Sequence, residues 1–171
     1  MDFKCFYWVV IHKLDNLIKE YFDKFRGDLP PELKNKVEGK LIDDRHLLKQ
    51  WRNTHQPGLI CYLESTIGLA GALDDCLIIG KKNPRYAPIE FKMKGKDITK
   101  SIPPYYQNQL DCYTLLLEKC DYPTKKFGYL VYYILEKIKE NGLVKFKVVE
   151  CLRGPRPAAN PNCPYCQYRK K

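Results

Sequence analysis

The sequence lacks most of the features that would place it in a specialised class. No apolar run approaches the roughly 20 residues needed to cross a bilayer. The longest near the start, Cys5-Phe6-Tyr7-Trp8-Val9-Val10-Ile11, leads straight into a helical pattern with no small-residue cleavage site. A membrane-spanning or secreted protein is therefore not expected. There is no internal repeat and no low-complexity tract, and with 44% apolar and 29% charged residues the chain is neither fibrous nor disordered. Histidine is scarce: His12, His46 and His55 show no ligand spacing such as His-x-x-x-His, and each reads as a surface or loop residue. Acidic residues are outnumbered, 20 Asp and Glu against 30 Lys and Arg.

What is present narrows the field. The formal net charge of +10 favours an anionic partner, nucleic acid being the commonest, although a soluble protein that is simply Lys-rich has the same charge. A length of 171 residues suits one domain, 1–171, with one core. The eight cysteines do not form the pattern of a secreted disulfide framework. Cys61, Cys76, Cys112 and Cys120 fall in apolar or helical stretches, where a reduced thiol packs as a small hydrophobe. A cytoplasmic, reducing location is expected, and clustered cysteines there suggest metal.

Periodicity sets out the elements. From His12 to Arg26, Leu14, Leu17, Ile18, Tyr21, Phe22 and Phe25 recur at helical spacing, with Gly27 as a stop. Residues 32–52 are polar with weak helical character, and Gln56-Pro57-Gly58 is a break. Leu59–Glu64 and Leu69–Ile79 read as strands, and Tyr86–Met93 as a third after the turn at Gly80–Pro84. Pro103-Pro104 precedes a helix over Tyr105–Lys119. Phe127–Leu135 and Leu143–Cys151 are two further strands around Asn141-Gly142, a hairpin signal. The expected fold is mixed α/β: an N-terminal helical part (9–52), a central mixed sheet flanked by helices (59–151), and a Pro-rich, cysteine-containing tail (152–171).

Chemistry concentrates in Gly71-Ala72-Leu73-Asp74-Asp75 and, after the turn, Pro88-Ile89-Glu90-Phe91-Lys92. Side chains alternate along a strand, so Glu90 and Lys92 share one face while Ile89 and Phe91 take the other. Hairpin pairing would bring Asp74 beside Glu90. Two converging carboxylates repel unless a cation lies between them, and Mg²⁺ suits a site with one or two carboxylates, waters and phosphate oxygens. The Phe91 backbone carbonyl would add one more oxygen. Lys92 would then orient a water or stabilise charge on a phosphate. Taken alone, Glu-x-Lys is equally a surface salt-bridge pair; the order Gly-x-apolar-Asp, turn, apolar-Glu-apolar-Lys, helix is more specific.

Over about Leu59–Glu118 this pattern resembles the PD-(D/E)XK nuclease superfamily, in particular its RecB-like branch, which includes CRISPR-associated and repair exonucleases with a cysteine-bound cluster. The resemblance implies a restriction-endonuclease-like core and a metal-dependent deoxyribonuclease using Mg²⁺ or Mn²⁺. Asp74 and Glu90 would be its metal ligands and Lys92 its catalytic lysine. The branch's Gln-x-x-x-Tyr motif is matched by Gln109-Leu110-Asp111-Cys112-Tyr113, whose i, i+4 spacing puts Gln109 and Tyr113 on one helical face. Gln107 offers an alternative register. The branch also carries an acid or histidine on an early helix beside the metal. Asp15, at the edge of the apolar stripe, is the candidate, with His46 as the alternative on position alone.

The resemblance extends to the chain ends. Cys163-Pro164-Tyr165-Cys166 has the two-residue gap that lets two thiolates grip one metal. In the branch, one N-terminal cysteine joins three C-terminal ones around an iron–sulfur cluster. Cys5 would be the first, and Cys151 would stand in for a final cysteine that does not follow Cys166. Zinc, a degenerate cluster and free thiols stay open. The basic excess would track DNA, single- or double-stranded, along a groove lined by Lys81, Lys82, Lys94, Lys96 and Lys100. Two rival readings remain: a non-catalytic nucleic-acid-binding module on the same fold, and a subunit that works only with a helicase or CRISPR-type protein partner.

Overall fold

The computed structural model describes residues 3–56, 58–62, 68–94, 103–138 and 144–155, with backbone alone for 3–12, 135–138 and 144–155. It is a mixed α/β fold. The chain begins with helix α1 (Phe3–Phe22), followed by a 3-10 turn at Asp23–Phe25. Gly27, at φ 82°, takes the left-handed conformation that ends the helical run. The polar stretch expected to be weakly helical contains strand β1 (Lys40–Leu41) and one helix, α2 (Arg45–Trp51). Asp44 caps α2 by accepting the Leu47 N–H at 2.9 Å.

Strands β2 (Leu59–Tyr62), β3 (Gly68–Gly71), β4 (Asp75–Ile79) and β5 (Arg85–Lys94) precede helix α3 (Pro104–Lys119), and β6 (Phe127–Ile138) and β7 (Val144–Pro155) complete the described chain. The main sheet has the order β1-β4-β5-β6-β7, and β2 and β3 form a separate two-stranded sheet. Pairing is antiparallel except between β5 and β6, which α3 connects as the crossover that a parallel pair requires.

The single strand expected over Leu69–Ile79 is thus two strands in two sheets. Residues 72–74 leave the ladder because their backbone is held from elsewhere. The Leu73 N–H donates to the Trp51 carbonyl at 2.9 Å, and Arg52 Nε donates to the Asp74 carbonyl at 2.8 Å. Both partners lie at the end of α2. Strand periodicity cannot register that switch, because the apolar alternation runs on through it. The last two strands are also longer than expected. β7 reaches Pro155, opposite Phe127, so the first residues assigned to the tail belong to the sheet. The Asn141-Gly142 turn lies outside the described residues.

The sheet separates two apolar layers. Leu77, Ile79, Ala87, Ile89, Phe91, Tyr129 and Val131 pack on the α1 side, where the Phe22 and Phe91 rings lie 4.6 Å apart. On the other side, Cys76 and Leu73 pack with Leu48 and Trp51 of α2 and Leu116 and Leu117 of α3, while Leu130 and Tyr132 pack on Leu110. Among the described residues no helix is long and apolar enough to cross a membrane.

Candidate active site

The register places the site at one end of β4 and β5. Asp75 pairs with Ile89, so the next rung sets Asp74 opposite Glu90, just beyond the end of β4. Asp74 Oδ2 accepts the Phe91 N–H at 2.9 Å and closes the ladder with a side chain. The N–H and C=O of one strand residue point to the same edge, so the Phe91 carbonyl opens toward the same gap.

Glu90 and Lys92 share the α3 face, as alternation requires. Glu90 is 4% exposed, and its Oε1 accepts from the Lys92 ammonium and, at 2.8 Å, from Gln109 Nε2. The same Gln109 Nε2 donates to the Tyr113 hydroxyl, also at 2.8 Å. Gln107, two residues away, instead bonds Asp111, so of the two glutamines it is Gln109 that meets Glu90. Tyr113 is pressed into place from β3: a Cβ on Gly71 would come within 2.8 Å of Leu116 and 3.3 Å of the Tyr113 ring.

Burial and the neighbouring Asp74 charge raise the Glu90 carboxyl to about 8, against the opposing pull of Lys92. Burial and then the Glu90 charge push the Tyr113 hydroxyl up as well. Two acceptors here, Glu90 Oε2 and Gln109 Oε1, are buried with no hydrogen-bond partner among the described residues. These oxygens, the Asp74 carboxylate beside them and the Phe91 carbonyl are all hard oxygen ligands, the type that Mg²⁺ or Mn²⁺ takes.

The α1 layer supplies a feature that sequence reasoning missed. Lys19 Nζ lies 2.8 Å from Asp74 Oδ1 and 2.7 Å from Asp15 Oδ2. Asp15, the candidate from the early helix, is therefore tied to the site through a lysine one turn further on. Burial pulls the Lys19 ammonium down, but the Asp74 charge and the bonds to both carboxylates outweigh it and hold the pKa above 10.5. With Lys19 between them, Asp15 and Asp74 do not converge, and among the described residues no group of three or more His, Cys, Asp or Glu side chains is arranged to hold a metal. The i, i+4 spacing of Asp15 and Lys19 was visible in the sequence. The second partner of Lys19, Asp74, 55 positions further on, was not.

Beneath this lies a buried ion network. Asp75 is fully buried and receives a fork from Arg26, one arm at 2.8 Å, together with Arg52 Nη2 at 3.0 Å and its own neighbour Cys76 N–H at 2.7 Å. Arg52 also grips both Asp23 oxygens at 3.0 Å while its Nε holds the Asp74 carbonyl. The two adjacent aspartates thus have different tasks: Asp75 anchors the backbone, and Asp74 presents its carboxylate at the rim.

Other expected site residues are placed differently. His46 is exposed at the second position of α2 and is not among the partners of Asp74 or Glu90. Lys81 and Lys82 lie in the exposed turn after Ile79, at the opposite end of the β4–β5 hairpin, roughly 15 Å of strand from Glu90. Proximity in sequence misplaced them, because a hairpin carries its turn away from its open end. Lys94 does share the site's face, its Nζ 4.9 Å from the Tyr132 ring centroid. Lys96 and Lys100 lie outside the described residues, as do Cys163, Cys166 and the side chains of Cys5 and Cys151. Of the cysteines expected to pack as hydrophobes, Cys61 and Cys76 are buried, but Cys112 is exposed on α3.

Compared with family models, curated proteins and solved structures, the chain matches none.

Proposed function

We propose that this chain is a metal-dependent nuclease of RecB-like PD-(D/E)XK type that hydrolyses DNA phosphodiester bonds. The observation that carries the reading is the pair of buried oxygens, Glu90 Oε2 and Gln109 Oε1, that have no hydrogen-bond partner among the described residues, beside Asp74 and Lys92. The antiparallel β4–β5 hairpin, the β5–α3–β6 crossover and the antiparallel β7 support a restriction-endonuclease-like core.

In this reading Asp74, Glu90 and the Phe91 carbonyl would hold Mg²⁺ or Mn²⁺, with Gln109 fixing the Glu90 rotamer. A bound divalent cation supplies charge neutralisation on the phosphate and acidifies a water. Lys92 shares the Glu90 face, and its ammonium orients the attacking water or meets charge developing on the phosphate oxygens. Tyr113 braces Gln109 from below, and the Arg52–Asp75 network holds the Asp74 backbone in register. Lys94 stands two residues beyond Lys92 on the same face, where it would meet the backbone phosphate of a bound strand.

Lys19 favours a second reading, a nucleic-acid-binding module or partner-dependent subunit, because its ammonium already neutralises Asp74. End-labelled DNA incubated with Mn²⁺ or with chelator separates the two. Cleavage in Mn²⁺ that chelator abolishes supports the nuclease. DNA binding with no cleavage under any metal rejects it in favour of the second reading.

A further inference from the structure

The start of α3 carries aromatic surface that runs outward from the core to solvent. Tyr105 is 74% exposed, one of the most exposed large apolar side chains among the described residues. Its ring lies 5.3 Å from that of Tyr106, tilted by 66°, and Tyr106 stands in turn 6.3 Å from the buried Tyr132. The row is therefore anchored at its inner end and open at its outer one. Two ammoniums border it: Lys92 Nζ lies 5.2 Å from the Tyr106 centroid, and Lys94 Nζ 4.9 Å from that of Tyr132. Lys92 is also bonded to Glu90, so the row begins at the candidate active site.

A row of tyrosines open to water at its outer end and bordered by two cations further in suits a ligand with flat apolar faces and negative charge along one edge. Unpaired nucleotides have both. A base stacks on an aromatic ring whatever its identity, while lysines a few ångströms away meet the phosphates. A duplex keeps its bases stacked inside and offers Tyr105 only phosphates and sugars.

We propose that Tyr105 and Tyr106 form a stacking platform for unpaired bases of a single strand, which seats the adjoining phosphate beside Lys92 and Lys94. The proposal deepens the nuclease reading and rests on it for the identity of the ligand, while making single-stranded nucleic acid the preferred form.

The test is equilibrium binding in chelator, where no cleavage intervenes. Fluorescence anisotropy would compare a labelled single-stranded DNA, a strand of equal length and charge carrying a run of abasic sites, and a duplex. Wild type is expected to bind the base-bearing strand about tenfold more tightly than the abasic one. Tyr105→Ala should erase that difference and leave abasic-strand affinity unchanged, and Tyr105→Trp should keep it. Equal affinity of wild type for base-bearing and abasic strands would overturn the platform, as would tighter binding of the duplex or a uniform loss in Tyr105→Ala. Those outcomes leave the nuclease reading standing. Failure to bind any of the three DNAs would overturn the platform, while cleavage in Mn²⁺ decides the nuclease reading separately.

Discussion

Lys19 Nζ lies 2.8 Å from Asp74 Oδ1, so a lysine of the first helix sits against one of the two carboxylates proposed to hold metal. A divalent cation bound by Asp74 would have to displace that ammonium or share the carboxylate with it. Lys19→Met removes the competitor, and Mn²⁺ affinity, read from free Mn²⁺ by electron paramagnetic resonance, should rise about tenfold. Unchanged or weaker binding would show that Lys19 orients Asp74 rather than opposing the metal.

The neighbouring Asp75 should behave in the opposite way, as a structural acid. It is fully buried against Arg26, whose side chain is only 3% exposed, so Asp75→Ala leaves a buried guanidinium with only Asp23 and the Ile42 carbonyl as partners. Urea unfolding should show a loss of about 3–5 kcal/mol, and the double variant Arg26→Met/Asp75→Leu should recover most of it. A loss below about 1 kcal/mol would mean that Arg52 and Asp23 hold the corner without Asp75.

Glu90 makes the stability of the fold depend on pH. Its carboxyl is raised to about 8 in the fold, against an ordinary value of 4.5. Between those two pH values the folded state keeps a proton that the unfolded chain has released, so stability falls as pH rises through that window. In chelator, wild type should lose on the order of 2–4 kcal/mol more than Glu90→Gln between pH 5 and pH 8. Denaturant unfolding at each pH checks this, and parallel curves for the two proteins would show that Glu90 is ionised throughout. Mn²⁺ should stabilise wild type more at pH 8 than at pH 5, because the ionised carboxylate is the better ligand.

Much of this site was legible because it is local. The alternation of Glu90, Phe91 and Lys92, the turn between β4 and β5, and the i, i+4 pair Gln109 and Tyr113 all follow from the periods of strand and helix. The break at residues 72–74 was not legible, since it is enforced by Trp51 and Arg52 through backbone hydrogen bonds that leave no trace in apolar patterning. Lys19, Arg26 and Arg52 were likewise hidden among 30 basic residues. Each gains its meaning from an aspartate more than 20 positions away. Lys81 and Lys82 show the converse error: close to the motif in sequence, they stand at the far end of its hairpin.

The central claim rests on Lys92, whose ammonium bonds the buried Glu90 and borders the Tyr106 ring. The most direct test is the rate of Mn²⁺-dependent cleavage of end-labelled single-stranded DNA by wild type and by Lys92→Ala. Their Mn²⁺ affinity and unfolding midpoint would be measured alongside. The nuclease account predicts a fall in rate of at least about a hundredfold, with Mn²⁺ still bound and the fold intact. Equal cleavage by the two proteins would contradict it.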